Sequence, residues 1–130
     1  MKMTIGKLAK AAAVNVDTIN YYEHRDLMLP VSRTGSGYRI YDQTSLARLR
    51  FIKKAQWLGF SLSEIKRFTE FDGSEECKKS VMLITKNKLA EHEAKIKELL
   101  TIKNEIQNLT HSCESMKVAD ECPFIGYLNL

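Results

Sequence analysis

Three cysteines, Cys77, Cys113 and Cys122, carry most of the chemistry that this 130-residue sequence could perform. An odd number cannot pair off completely, and a reducing compartment would keep them as thiols, so a disulfide scaffold is not expected. Three thiolates with no obligatory histidine favour a soft, thiophilic ion, which sulfur binds better than oxygen does. Two rivals use the same residues. One is a thiol redox sensor in which Cys113 and Cys122 form a disulfide; the other is a cysteine nucleophile with His111 or His92 as base. No glycine-rich or oxyanion-type loop accompanies those residues, so an enzyme is not expected. The plainest alternative is that all three cysteines are small buried hydrophobes.

The elements that must position these thiols follow a basic first half. Residues 1–70 carry twelve Lys and Arg against six Asp and Glu, whereas residues 71–130 carry eight against ten. Such an asymmetry is expected where one region meets a polyanion and another does not. Hydrophobic residues make up 44% and charged residues 28% of the chain, the composition of an ordered soluble protein. No apolar stretch approaches the roughly 18 residues of a membrane span. Lys7 and Lys10 interrupt the start where a secretory signal would need an unbroken apolar run. A cytoplasmic protein is expected, with no membrane partner.

Thr4 can cap a short helix through Ile5, Leu8 and Ala12, interrupted at Val14 and Asn15. A second helix is predicted over residues 16–24, begun by Asp17 and Thr18 and buried through Ile19 and one tyrosine of Tyr21-Tyr22. Two short helices joined by a polar turn form a helix-turn-helix, whose second helix can enter a major groove. In Ser32-Arg33-Thr34-Gly35-Ser36-Gly37-Tyr38-Arg39-Ile40-Tyr41 the glycines and serine make a turn between two extended segments, giving a small hairpin, or wing. Arg33 and Arg39 alternate there with aromatics and could meet phosphates, while at least one wing tyrosine is expected to pack inward. Asp42 caps a third helix that Gly59 ends. Ser61-Leu62-Ser63-Glu64 reads as the capping box of a fourth.

After an Asp72-Gly73 turn, residues 74–112 contain neither Pro nor Gly, and Leu89, Ile96, Leu99, Ile106 and Leu109 recur at helical spacing. One helix of this length would extend ~57 Å, more than the first half could cover. Its apolar stripe must pair with another copy, and antiparallel pairing about a two-fold axis closes as a dimer. Lys103 and His92 lie in or beside the stripe and could set its register.

The series Thr18-Ile19-Asn20-Tyr21-Tyr22-Glu23, Gly37-Tyr38-Arg39-Ile40-Tyr41, Phe51-Ile52 and Leu58-Gly59-Phe60-Ser61-Leu62-Ser63-Glu64-Ile65 closely resembles the MerR family of bacterial transcription activators. The resemblance implies a mainly α dimer. Its parts would be a winged helix-turn-helix domain (residues 1–73), a long antiparallel coiled-coil dimerisation helix (74–112) and a C-terminal metal-binding tail (113–130). Such proteins sit on an overlong promoter spacer and distort it on binding an effector, so that RNA polymerase can use both promoter elements. By position, Thr18, Tyr21, Tyr22 and Arg25 correspond to reading-helix contacts with promoter DNA, and Arg33, Tyr38 and Arg39 to wing contacts. Two positions depart from the pattern: Asn20 stands where the family usually has Arg, and Asp26 where it usually has Gly.

Along one helix Cys77 and Cys113 lie ~54 Å apart and cannot share a metal. In an antiparallel dimer, Cys77 of one subunit can approach Cys113 and Cys122 of the other, forming two symmetric three-thiolate sites under an apolar lid of Pro123, Phe124 and Ile125. A cysteine at the position of Cys77 resembles sensors of divalent rather than monovalent ions. The Cys122-Pro123-Phe124-Ile125 ending resembles the mercury sensors most, which implies Hg(II) as effector. Lead and cadmium sensors use three cysteines in the same order, and zinc sensors tend to have adjacent cysteines where Ser112 precedes Cys113. Pb(II), Cd(II) and Zn(II) are therefore the alternatives.

Overall fold

A computed structural model describes residues 1–115; Cys122 and the rest of the expected tail lie outside the described residues. The chain divides into two units, Met1–Thr85 and a second beginning at Lys86. In the first, α1 (Ile5–Ala12), α2 (Val16–His24), α3 (Gln43–Trp57) and α4 (Leu62–Thr69) enclose one core, with a hairpin of β1 (Ser32–Arg33) and β2 (Arg39–Ile40) between α2 and α3 in sequence. The final helix, α5 (Glu75–Ser115), begins in this unit and makes up the described part of the second. No described helix is long and apolar enough to cross a membrane.

Each boundary in the first unit has a local cause. The Thr4 hydroxyl accepts the Lys7 N–H, and α1 buries Leu8, Ala9 and Ala12 on one face. It stops at Ala13, whose φ of 57° is left-handed. The Lys53 ammonium then reaches the exposed helix end, donating to the Ala12 carbonyl at 3.2 Å and the Ala13 carbonyl at 3.5 Å. Helix α2 starts at Val16, where the sequence pattern puts it, and is capped by Asn15. Its Oδ1 accepts the Thr18 hydroxyl at 3.0 Å rather than a backbone N–H. Asp17 lies in the first turn, where an acid meets the positive end of the helix dipole.

At the far end of α2, Asp26 takes φ 58°, and the Leu27 N–H returns to the Tyr22 carbonyl at 2.9 Å. The position favours glycine, and aspartate tolerates the left-handed region better than most other residues. Its carboxylate lies 3.9 Å from the Lys66 ammonium on α4, a solvent-facing pair of small energetic weight.

In the hairpin, Ser32 opposes Ile40 and Arg33 opposes Arg39. The strands are shorter than the pattern predicts, so Tyr38 precedes β2 rather than belonging to it. Just beyond β2, Met3 and Tyr41 form an isolated antiparallel bridge through hydrogen bonds of 2.7 and 2.8 Å. Tyr41 itself is fully buried with Leu8, Ile19, Leu49, Ile52 and Ile65, so it is the wing tyrosine that packs inward.

Both expected capping motifs close. The Asp42 carboxylate accepts the Thr44 and Ser45 N–H groups while Ser45 Oγ accepts the Asp42 N–H at 3.2 Å. Ser61 and Glu64 do the same for α4. Before α5, Asp72 Oδ1 accepts the Ser74 N–H, and Ser74 Oγ accepts the Cys77 N–H at 3.1 Å. The helix runs 41 residues with none of them buried in the single chain. Leu89, Ile96, Leu99 and Ile106 stay more than half exposed.

Two expectations follow. Asp26→Gly should raise the unfolding free energy in urea titration by up to roughly 1 kcal/mol, because glycine meets no Cβ penalty at positive φ. The second concerns acid. Hydrogen bonds from the Thr44 hydroxyl and from the Ser45 and Thr44 N–H groups hold the Asp42 carboxyl below its ordinary value of 3.8. This contribution is present above pH 3.8 and is lost as pH falls through the lower folded value. Asp42→Asn, which still caps but does not titrate, should show a shallower acid limb in stability measured against pH.

Candidate nucleic-acid interface

The side chains expected to meet DNA fall into two groups. Tyr21 and Arg25 project from α2, exposed and joined to each other. Arg25 Nη1 donates to the Tyr21 hydroxyl at 3.2 Å, with the guanidinium 5.8 Å from the ring centre. On the wing, Tyr38 is 72% exposed. Arg33 Nη1 donates to the Gly37 carbonyl at 2.9 Å. Thr34 braces the same loop, its N–H donating to the Tyr38 carbonyl and its hydroxyl accepting the Tyr38 N–H. Gly37, at φ 90°, permits the turn. These groups present hydroxyls and fixed guanidiniums, the donors that phosphate oxygens and base edges accept.

Tyr22 is placed differently. Only 4% of it is exposed and its hydroxyl donates to Gln56 Oε1 on α3, so packing fixes the side chain within the core. Burial, with a smaller effect of Tyr21, pushes its phenol up from the ordinary value of 10.0. Thr18 is half-buried and committed to Asn15.

A polar junction ties wing to reading helix, and its acceptor was not among the residues singled out in the sequence. Glu23 Oε1 accepts from Arg39 Nη1 at 2.6 Å and from the Tyr41 hydroxyl at 2.8 Å. Arg39 Nη1 also donates to Asn20 Oδ1 at 2.7 Å. Burial pushes the Tyr41 phenol far above its ordinary value, reinforced by its hydrogen bond to Glu23 and by the carboxylate charge, with Arg39 and Arg33 acting the other way. An acid at 23, one helical turn from Asn20 on the same face of the helix, was the available sequence signal.

The cysteines lie apart from this junction. Cys77 is half-buried in the first turn of α5, with Sγ 4.0 Å from the Glu70 carbonyl. Cys113 is half-buried near the other end of the same helix, and Cys122 lies outside the described residues. Among the described residues no three His, Cys, Asp or Glu side chains gather into a metal-holding group.

Known proteins match this arrangement along nearly its whole length. The model of the MerR helix-turn-helix family of regulatory proteins matches residues 3–71, and a MerR DNA-binding model matches residues 46–109. A mercuric resistance operon regulatory protein of Bacillus cereus is 38% identical over 129 residues, covering 98% of both chains. The dual function transcriptional regulator MerR from Bacillus megaterium MB1, solved in complex with mercury(II), is 35% identical with a TM-score of 0.71, covering 98% of this chain and 100% of that one. The transcription regulator PbrR691 from Ralstonia metallidurans CH34, solved with lead(II), is 30% identical with a TM-score of 0.71, covering 97% and 98%. Fold, reading helix and wing thus agree with the matched sequence, and the chain belongs to the MerR family of helix-turn-helix regulatory proteins.

Proposed function

We propose that the protein is a homodimeric, cytoplasmic, metal-responsive transcription activator that sits on promoter DNA and senses Hg(II). The ligands would be Cys77 of one subunit and Cys113 and Cys122 of the other. The observation that carries the dimer is α5, whose apolar positions Ile96 and Leu99 are 57% and 63% exposed in one chain. A stripe of this kind is buried when a second helix pairs with it. Antiparallel pairing brings the first turn of one α5 beside the last turn of the other, which turns two remote thiols into neighbours.

The donor set suits the effector. Thiolates select soft ions. The relatives named for mercury support Hg(II), and the lead(II) complex keeps Pb(II) as the alternative, with Cd(II) and Zn(II) as further candidates. Family membership makes the chain a DNA-binding regulator rather than an enzyme, which sets aside the nucleophile reading of the cysteines. On DNA, Tyr21 and Arg25 would read from α2, with Arg33 and Tyr38 on the backbone beside it. Thr18 and the buried Tyr22 would support the helix from behind.

Metal capture would tie tail and α5 to the neighbouring DNA-reading unit and change the angle between the two such units on the promoter, where RNA polymerase is the partner. The size of that effect equals the metal's differential affinity for the two dimer shapes. The operator should therefore be occupied with and without metal.

Sedimentation of the full chain should give a dimer, and Leu99→Lys should shift it to monomer; an unaltered dimer would remove α5 as the interface. For the effector, the reduced protein is bound to a duplex selected from a randomised library and titrated with Hg(II), Pb(II), Cd(II) and Zn(II), with transcription from that duplex as readout. One ion per chain is expected, with Hg(II) effective at the lowest concentration and Cys113→Ser inert. If Cys113→Ser responds normally to every ion, the metal-sensing reading fails. Activation by peroxide that ignores chelators would move the thiols to redox sensing.

A further inference from the structure

Asn20, exposed on the reading helix, has a definite partner here. Asn20 Oδ1 accepts from Arg39 Nη1 at 2.7 Å, and the same nitrogen donates to Glu23 Oε1 at 2.6 Å. A guanidinium nitrogen of this type carries two protons, so Nη1 is saturated by two acceptors that both stand on α2. The arginine itself belongs to β2. Its charge faces a carboxylate that is only 12% exposed, so the pair brings no net charge to a nearby phosphate. A second wing donor, the Tyr41 hydroxyl, ends on the same carboxylate oxygen at 2.8 Å. An arginine at position 20 would bring a second cation against Glu23 and compete with Arg39 for it; asparagine offers an acceptor without charge.

We propose that Asn20 is a positioning residue: with Glu23 it holds Arg39 between reading helix and wing, so that Arg39 sets the angle of the wing instead of neutralising a backbone phosphate. This rests on the DNA-binding reading and deepens it, since Arg39 leaves the set of contacts to DNA and Asn20 enters the machinery that aims them. A wing held at one angle can grip the backbone only when the reading helix sits at its matching depth in the groove. The clamp therefore acts on affinity through geometry rather than through charge.

The two roles differ in salt dependence, because each neutralised phosphate contributes ~0.9 to the slope of log affinity against log salt. The test uses the full chain and the duplex recovered by selection from a randomised library, with the active fraction of each variant fixed by stoichiometric titration. Arg39→Ala and Asn20→Ala should each weaken binding by about threefold to tenfold, the worth of one hydrogen bond, with the slope unchanged. The double variant should be no weaker than Arg39→Ala alone, because both changes release the same contact. Arg39→Lys keeps the charge but not the planar fork, and should behave like Arg39→Ala. A slope reduced by ~0.9 in Arg39→Ala, wild-type binding by Arg39→Lys, or losses that multiply in the double variant would each overturn the clamp. A wild-type chain that recovers no duplex would sink the DNA-binding reading and the clamp with it.

Discussion

A helix of 41 residues with none of them buried sets the terms for everything built on it. Apolar side chains at Leu89, Ile96, Leu99 and Ile106 face outward in the single chain, and water penalises such a stripe along its whole length. The first unit satisfies its own core, with Leu8, Ile19, Leu49, Ile52 and Ile65 fully enclosed. Stability of the first unit is thus a local property, whereas the long helix encloses no residue of its own. If a second copy covers that stripe, as proposed, an effector acting on the association can alter geometry without unfolding the first unit.

Much of the head was legible because its boundaries are written in short-range chemistry. Thr4, Asp42 and the Ser61–Glu64 pair close their caps as their spacing predicts, since a cap depends on side chains within four residues of the backbone it satisfies. The span of α2 was legible as well, but its cap was not, because the Asn15 side chain bonds to the Thr18 hydroxyl and to no backbone N–H that a capping pattern would reveal. What could not be seen were the contacts across long stretches of chain. The Met3–Tyr41 pairing, the Lys53 ammonium on the end of α1 and the Glu23 junction each join residues distant in sequence and depend on how the helices stack. Tyr22 shows the same boundary: adjacent tyrosines on one helix differ by about 100° in direction, so one goes inside, and the sequence left open which.

The candidate thiol site was legible as chemistry rather than as geometry. Residue type alone points to soft ions, and helix length alone separates Cys77 from Cys113 along one chain. Assembling three sulfurs requires a second copy and the segment that carries Cys122, neither of which a single first unit encodes. The expected DNA contacts follow the opposite pattern. Tyr21, Arg25, Arg33 and Tyr38 lie at the surface; their loop and aromatic contacts explain how they are held there.

The meeting of Asn20, Glu23 and Arg39 also constrains how such a regulator can diverge. Three positions drawn from two elements share one carboxylate and one guanidinium nitrogen, so replacing any one of them strands the others with unmatched charge or an orphaned donor. Drift in promoter preference should then proceed by coordinated exchanges, with the loss of an arginine on the helix compensated nearby.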